Sequence, residues 1–163
     1  LETNSLNSPK NSMTASINIP DLKKRVFMLP LKEEVKVGEY FGVQIRAANI
    51  PEMYKLLMKL SYNTELVRAS YLSRGTLFVK EVPSGMELLP WSKAEIDGDK
   101  GIIKGIGGDL SKTNKISGVI GEVYFKALKS GEFNISFEGC EITDKDGNIQ
   151  SVQTENLKVK IVK

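Results

Sequence analysis

At 163 residues, 40% hydrophobic and 26% charged, the chain has the size and composition of one ordinary globular domain with a sizeable core. It has no histidine and a single cysteine, Cys140, which excludes an internal disulfide, a cysteine-cluster metal site and any Ser-His or Cys-His catalytic pair. A net charge of +3 spread over interspersed Lys and Glu is a solvated surface rather than a nucleic-acid footprint, and no apolar run approaches the ~20 residues of a membrane span.

Leu1 to about Pro20 is rich in Asn, Ser and Thr with few large apolar groups, so residues 1–22 read as a linker or leader and 23–163 as the domain. Ser16–Ile19 alternates weakly before Pro20-Asp21 interrupts it, and stays outside the domain. The opening Leu1-Glu2-Thr3 carries neither an initiator methionine nor a charged-then-apolar signal region, so a piece of a longer chain is expected.

The first strand is expected at Val26-Phe27-Met28-Leu29, with Pro30 marking a bend or an edge. Over Tyr40–Ala48, Phe41, Val43, Ile45 and Ala47 alternate with more polar positions, the period of two of a strand with one buried face. Asn49-Ile50-Pro51-Glu52 reads as a loop. Leu56, Met58, Leu60 and Tyr62 then alternate with Lys55, Leu57, Lys59 and Ser61 in a central strand. Asn63-Thr64-Glu65 makes a corner, and Leu66, Val67 and Ala69 resume the pattern up to Arg74-Gly75.

Periodicity is poor from Thr76 to Ile96: Val79–Gly85 reads as a flap, and one strand is expected near Trp91. Asp97–Gly101 is a turn whose two glycines are free to take positive φ. Its acidic residues lack the bidentate glutamate of a calcium loop. Ile102–Ile106 is a strand. Gly107-Gly108 lacks the Gly-Lys-Ser/Thr and helix of a phosphate loop, and polar Asp109–Ser117 suggests a loop or a single helical turn. Val123, Phe125 and Ala127, then Phe133, Ile135 and Phe137, mark two strands joined as a hairpin at Lys129-Ser130-Gly131. Asp144–Asn148 reads as an Asx-rich turn. Leu157, Val159 and Ile161 form the last strand.

About nine short alternating strands and no sustained period of 3.6 argue for an all-β fold, an antiparallel sandwich of two packed sheets. Composition alone leaves jelly-roll, immunoglobulin-like and carbohydrate-binding sandwiches open.

The order of the pieces resembles the cohesin family. Tyr62-Asn63-Thr64 stands where that family has a Tyr-Asp-Pro corner, so the tyrosine matches and the Asp and Pro do not. A leucine or valine after the corner (Leu66, Val67), a glycine closing the next strand (Gly75), the Gly121-x-x-x-Phe125-x-Ala127 strand and an Asp-x-x-Gly turn at Asp144–Gly147 follow in the family's order, over roughly Val26 to Val162. The resemblance implies a jelly roll of about nine strands with first and last strands side by side. It also implies a non-catalytic module of an extracellular or cell-surface assembly, whose partner is a dockerin, a small calcium-loaded helical module. On matching positions the partner-binding residues would be Lys55, Leu57, Lys59 and Ser61 on the central strand, Ser92 near Trp91, and Lys104 and Ile106 on the strand after Asp97. No catalytic residue, cofactor or metal is implied for the domain itself.

Leu57 stands out physically as a large apolar side chain on an otherwise polar face. Lys104 makes one face of its own strand polar, so Ile102 and Ile106 are expected to point outward with it and join Leu57 in an apolar patch rimmed by lysines. Two other readings compete. Carbohydrate binding, with a polysaccharide as ligand, would use Trp91, Tyr54, Tyr71 or Tyr124 for stacking. A stalk domain of a cell-surface or secretion-system protein would need no partner.

Overall fold

The computed structural model describes residues 23–91 and 93–163, the side chains at 114 and 115 excepted. The expected leader, its weak strand and Ser92 lie outside the described residues. Eleven strands are described: β1 (Arg25–Pro30), β2 (Glu34–Lys36), β3 (Tyr40–Tyr62), β4 (Val67–Arg74), β5 (Val79–Val82), β6 (Gly85–Leu88), β7 (Glu95–Asp97), β8 (Ile102–Ala127), β9 (Gly131–Thr143), β10 (Gln153–Glu155) and β11 (Leu157–Val162). Between β4 and β5 lies one 3-10 turn, Thr76–Phe78.

The two-sheet sandwich is built by two long strands that serve both layers. In its first half β3 pairs with β1 and with the C-terminal half of β8, and β4 lies beyond β8; call this sheet A. In its second half β3 pairs with β9 and with the N-terminal half of β8, with β11 beyond β9 and β7 beyond β8; this is sheet B. The expected loop at Asn49–Glu52 is therefore a bend inside one strand. Asn49 takes φ 59, its N–H donates to Ser117 Oγ at 3.0 Å, and the β3–β8 register shifts on either side of Ile50. Asn tolerates that left-handed conformation at low cost, so chain direction changes without the ladder being lost. The polar 109–117 segment is likewise strand, bent at Ser111 with φ 50, because β3 supplies its backbone partners.

Lys129-Ser130-Gly131 does not close a hairpin. It carries the chain from β8 in sheet A to β9 in sheet B, and β9 pairs with β3 and β11 instead. Phe125 on β8 and Phe133 on β9 meet across the interior, ring centroids 5.0 Å apart, with Phe41 and Tyr62 packed on both. This cluster holds the layers together, since aromatic burial is the largest apolar contribution a single side chain makes. The first and last strands run side by side in two parallel pieces, β1 with β10 and β2 with β11. Asn156 interrupts the last strand there, its Oδ1 accepting from Phe137 N–H at 2.9 Å.

No strand forms at Trp91. β7 begins at Glu95, and β5–β6 is a separate two-stranded hairpin in place of a loose flap. The Asp97–Gly101 turn links β7 to β8 with Gly101 at φ 68; Gly98 does not use the positive φ open to it. Asp144 makes the expected Asx turn, Oδ1 accepting from the N–H of Asp146 and of Asn148 at 2.9 Å each.

Candidate partner-binding site

Leu56, Met58 and Leu60 are at most 1% exposed and Tyr62 is 7% exposed, so the residues between them face outward on sheet B. Lys55 and Lys59 are exposed on this face, and Leu57 is 49% exposed. Ser61 is half-buried, its hydroxyl donating to Glu138 Oε2 on β9 at 2.8 Å. Across the ladders Leu57 stands between Glu141 of β9 and Gly107 of β8, while Lys55 stands between Thr143 and Asp109. Lys104 joins the same side, exposed, with Nζ 3.3 Å from Glu95 Oε1 on β7. An ion pair this exposed orders two side chains but adds little stability.

Ile106 is not part of the face: it is fully buried, as is Ile103, and Ile102 is half-buried. The cause is a bulge. Met58 pairs with Ile106 and Leu60 with Ile103, so three steps along β8 oppose two along β3 and the extra residue resets the alternation. Gly105 makes the bulge possible, at φ 77 and with the backbone so close that a Cβ would lie 2.0 Å from the Lys93 carbonyl oxygen. Lys104 points outward while the isoleucines on both sides of the bulge point in.

In place of the expected Ile102–Leu57–Ile106 patch, Leu57 is joined by Leu89, Pro90, Lys93 and Glu141, which the sequence left unassigned, beside the expected lysines and Trp91. Leu57 is a ridge between two shallow depressions. One, of about 570 Å³, runs past Lys59, Lys93, Lys104, Gly105 and Gly139 to Glu141. The other, of about 800 Å³, is bounded by Lys55, Leu89, Pro90, Trp91 and Asp109. Trp91 is half-buried with its ring edge-on to Phe78 at 5.9 Å, and its buried Nε1 has no hydrogen-bond partner among the described residues. It forms a wall of the groove and is not an exposed stacking platform. Hydrophobic spacing held no signal for Leu89 and Trp91, because a non-strand segment folded against β8 brings them here.

Chemically the face offers an apolar knob, shallow flanking grooves and mixed charge. Cys140 sits under it opposite Met58, where burial pushes the thiol up to about 12, so it stays a protonated filler. Among the described residues no cluster of three or more Cys, Asp or Glu is placed to hold a metal ion. No described helix is long and apolar enough to cross a membrane.

Neither a family model nor a curated protein matches the sequence. Solved structures do match. A non-cellulosomal cohesin from the archaeon Archaeoglobus fulgidus superposes with a TM-score of 0.67 at 21% identity, over 86% of this chain and 92% of that one. The chain has a cohesin-like fold. A type II cohesin domain from the cellulosome of Acetivibrio cellulolyticus gives 0.66 at 17% identity over 84% of this chain and 95% of that one. A chain of a type I cohesin–dockerin complex from Clostridium thermocellum gives 0.65 at 18% identity over 85% and 99%. At these identities the likeness extends to the cohesin-like backbone and leaves the chemistry of the outer face to this chain's own residues.

Proposed function

We propose that residues 23–163 form a non-catalytic recognition module that binds a dockerin-type, calcium-loaded helical partner through the outer face of sheet B, in an extracellular or cell-surface assembly. The observation that carries this reading is Leu57, half-exposed on a two-layer scaffold between two shallow depressions. An amphipathic helix laid on a groove engages it through apolar anchors at i, i+3 or i+4. Lys55, Lys59 and Lys93 fringe the ridge, with Lys104 paired to Glu95, and favour a partner with acidic groups placed opposite them, which raises the rate of encounter more than the final affinity. Solved dockerin complexes among the similar structures support the partner class.

The contact set under this proposal is Lys55, Leu57, Lys59, Ser61 and Lys104, extended by Lys93, Glu141 and the Leu89–Trp91 wall; Ile106 drops out because it is buried. Isothermal titration with a panel of calcium-loaded type I and type II dockerins tests it. Binding by at least one, abolished by Leu57→Asp, is expected. Binding that survives Leu57→Asp unchanged places any interface elsewhere.

A further inference from the structure

The outer face of sheet A carries a second built surface. In register across β4, β8 and β3 lie Tyr71, Tyr124 and Gly42, and Leu31 follows β1 beside Gly42. The Tyr71 and Tyr124 rings stack with centroids 4.6 Å apart and planes within 12°. One face of Tyr71 is held by that stack, yet the residue remains 54% exposed. Tyr40 stands beside them, 61% exposed, and a depression of about 630 Å³ is lined by Leu31, Tyr40, Tyr71 and Tyr124. A Cβ at Gly42 would lie 2.7 Å from the Leu31 side chain and 2.9 Å from the Tyr124 ring, so the missing side chain lets Leu31 and Tyr124 pack down over this position.

The next row of the same face is polar and already ordered. Glu122 accepts from Gln44 Nε2 at 2.9 Å and from the Tyr124 hydroxyl, and Arg46 donates to Gln44 Oε1 at 2.8 Å. The bond to Glu122 pushes the Tyr124 phenol up to about 12, so it stays a donor. A carboxylate has roughly four acceptor positions and a guanidinium five donors, so Glu122 and Arg46 both keep capacity for a ligand. This row lies two strand steps, roughly 7 Å, from the ring row.

We propose that the outer face of sheet A is an oligosaccharide-binding surface, with Tyr71 as the stacking platform and Glu122 and Arg46 as the hydroxyl-orienting groups. A sugar ring has apolar C–H faces and an equatorial rim of hydroxyls. It therefore matches an aromatic ring with polar groups two residues further along the strand better than an apolar protein surface does. An apolar protein surface covering the same area would desolvate Gln44, Glu122 and Arg46 without replacing their water bonds, whereas sugar hydroxyls replace them. The stacked, immobile ring loses little freedom on binding. This surface is independent of the Leu57 face, on the other sheet. Of the aromatic candidates in the sequence it retains Tyr71 and Tyr124 and drops Trp91, which walls the groove on sheet B, and Tyr54, which is half-buried at the β3 bend.

The test is native affinity electrophoresis of the full chain through gels containing hydroxyethylcellulose, xyloglucan, xylan or galactomannan. Retardation by at least one is expected. Tyr71→Ala should weaken it at least tenfold, Tyr40→Ala should weaken it as a second exposed variant, and Leu57→Asp should leave it unchanged, all three still unfolding cooperatively on heating well above the gel temperature. No retardation by any polysaccharide overturns the proposal, as does retardation that is lost in Leu57→Asp but kept in Tyr71→Ala. Sedimentation that shows Tyr71→Ala splitting a dimer, without any effect on retardation, identifies a self-association face and also overturns it.

Discussion

Replacing Leu57 by aspartate should separate binding from folding, and its size follows from the surroundings. Fully burying a leucine is worth about 1.5–3 kcal/mol, so covering the half that Leu57 still exposes contributes about 1 kcal/mol to a complex. An aspartate there must also be stripped of water against an apolar anchor, a further cost of about 2 kcal/mol or more. Together these predict a loss of roughly 100- to 1,000-fold in Kd. In the unbound domain the same change touches no core contact. It does place a carboxylate directly across from Glu141, and aspartate is a poor strand residue, so about 0.5–1.5 kcal/mol of stability is lost. Leu60→Ala, three residues further along β3 and fully buried in the core, should cost about 2–5 kcal/mol. Urea unfolding followed through Trp91, the single tryptophan, ranks the two. A lower midpoint for Leu57→Asp than for Leu60→Ala would mean a register wrong by one residue, and the face assignment would fall with it.

Gly105→Ala should destabilise the domain by about 2 kcal/mol or more, while Gly98→Ala, with open space around its Cβ position, stays near the parent; equal urea midpoints would remove the bulge. Glu39 is held below the usual carboxylate range first by its hydrogen bond from Lys32, and Asp144 first by the Asn148 N–H. Both folded values lie below the unfolded ones, so their stabilisation is complete above about pH 4–5 and is lost as pH falls through the folded values. The double variant Glu39→Gln, Asp144→Asn should therefore show a shallower fall in melting temperature between neutral and acid pH than the parent, and an equally steep fall would refute the assignment. Calcium in place of a chelator should leave the melting temperature of this domain unchanged, because the Asp144 carboxylate is already satisfied by its own turn and Asp97 by Lys100 N–H. A site filled a hundredfold above its Kd would add about 2.7 kcal/mol, roughly 5–10 °C for a chain of this size. A rise of that order, lost in Asp144→Ala or Asp97→Ala, would expose a metal-binding turn.

Much of the layer structure was legible in the amino-acid order, because a strand's period of two is a local property. Each side chain's direction follows from its neighbour's, so the sequence by itself determined that Leu56, Met58, Leu60 and Tyr62 are core and that Lys55, Leu57, Lys59 and Ser61 are the face. The Asx turn at Asp144 was legible for the same reason, its bonds closing within four residues. Tertiary structure alone decided what depends on a distant backbone. The bulge at Gly105 lies opposite the Met58–Leu60 step of β3 with the Lys93–Ala94 backbone packed against it, and it turns Ile106 inward against the local alternation. Asn49 continues a strand because β8 supplies Ser117 across the bend. Lys129-Ser130-Gly131 crosses between layers because Phe125 and Phe133 pack edge-to-face through the core, a pairing that no short-range pattern encodes. Leu89 and Trp91 reach the Leu57 groove by the fold of a segment that has no period of its own.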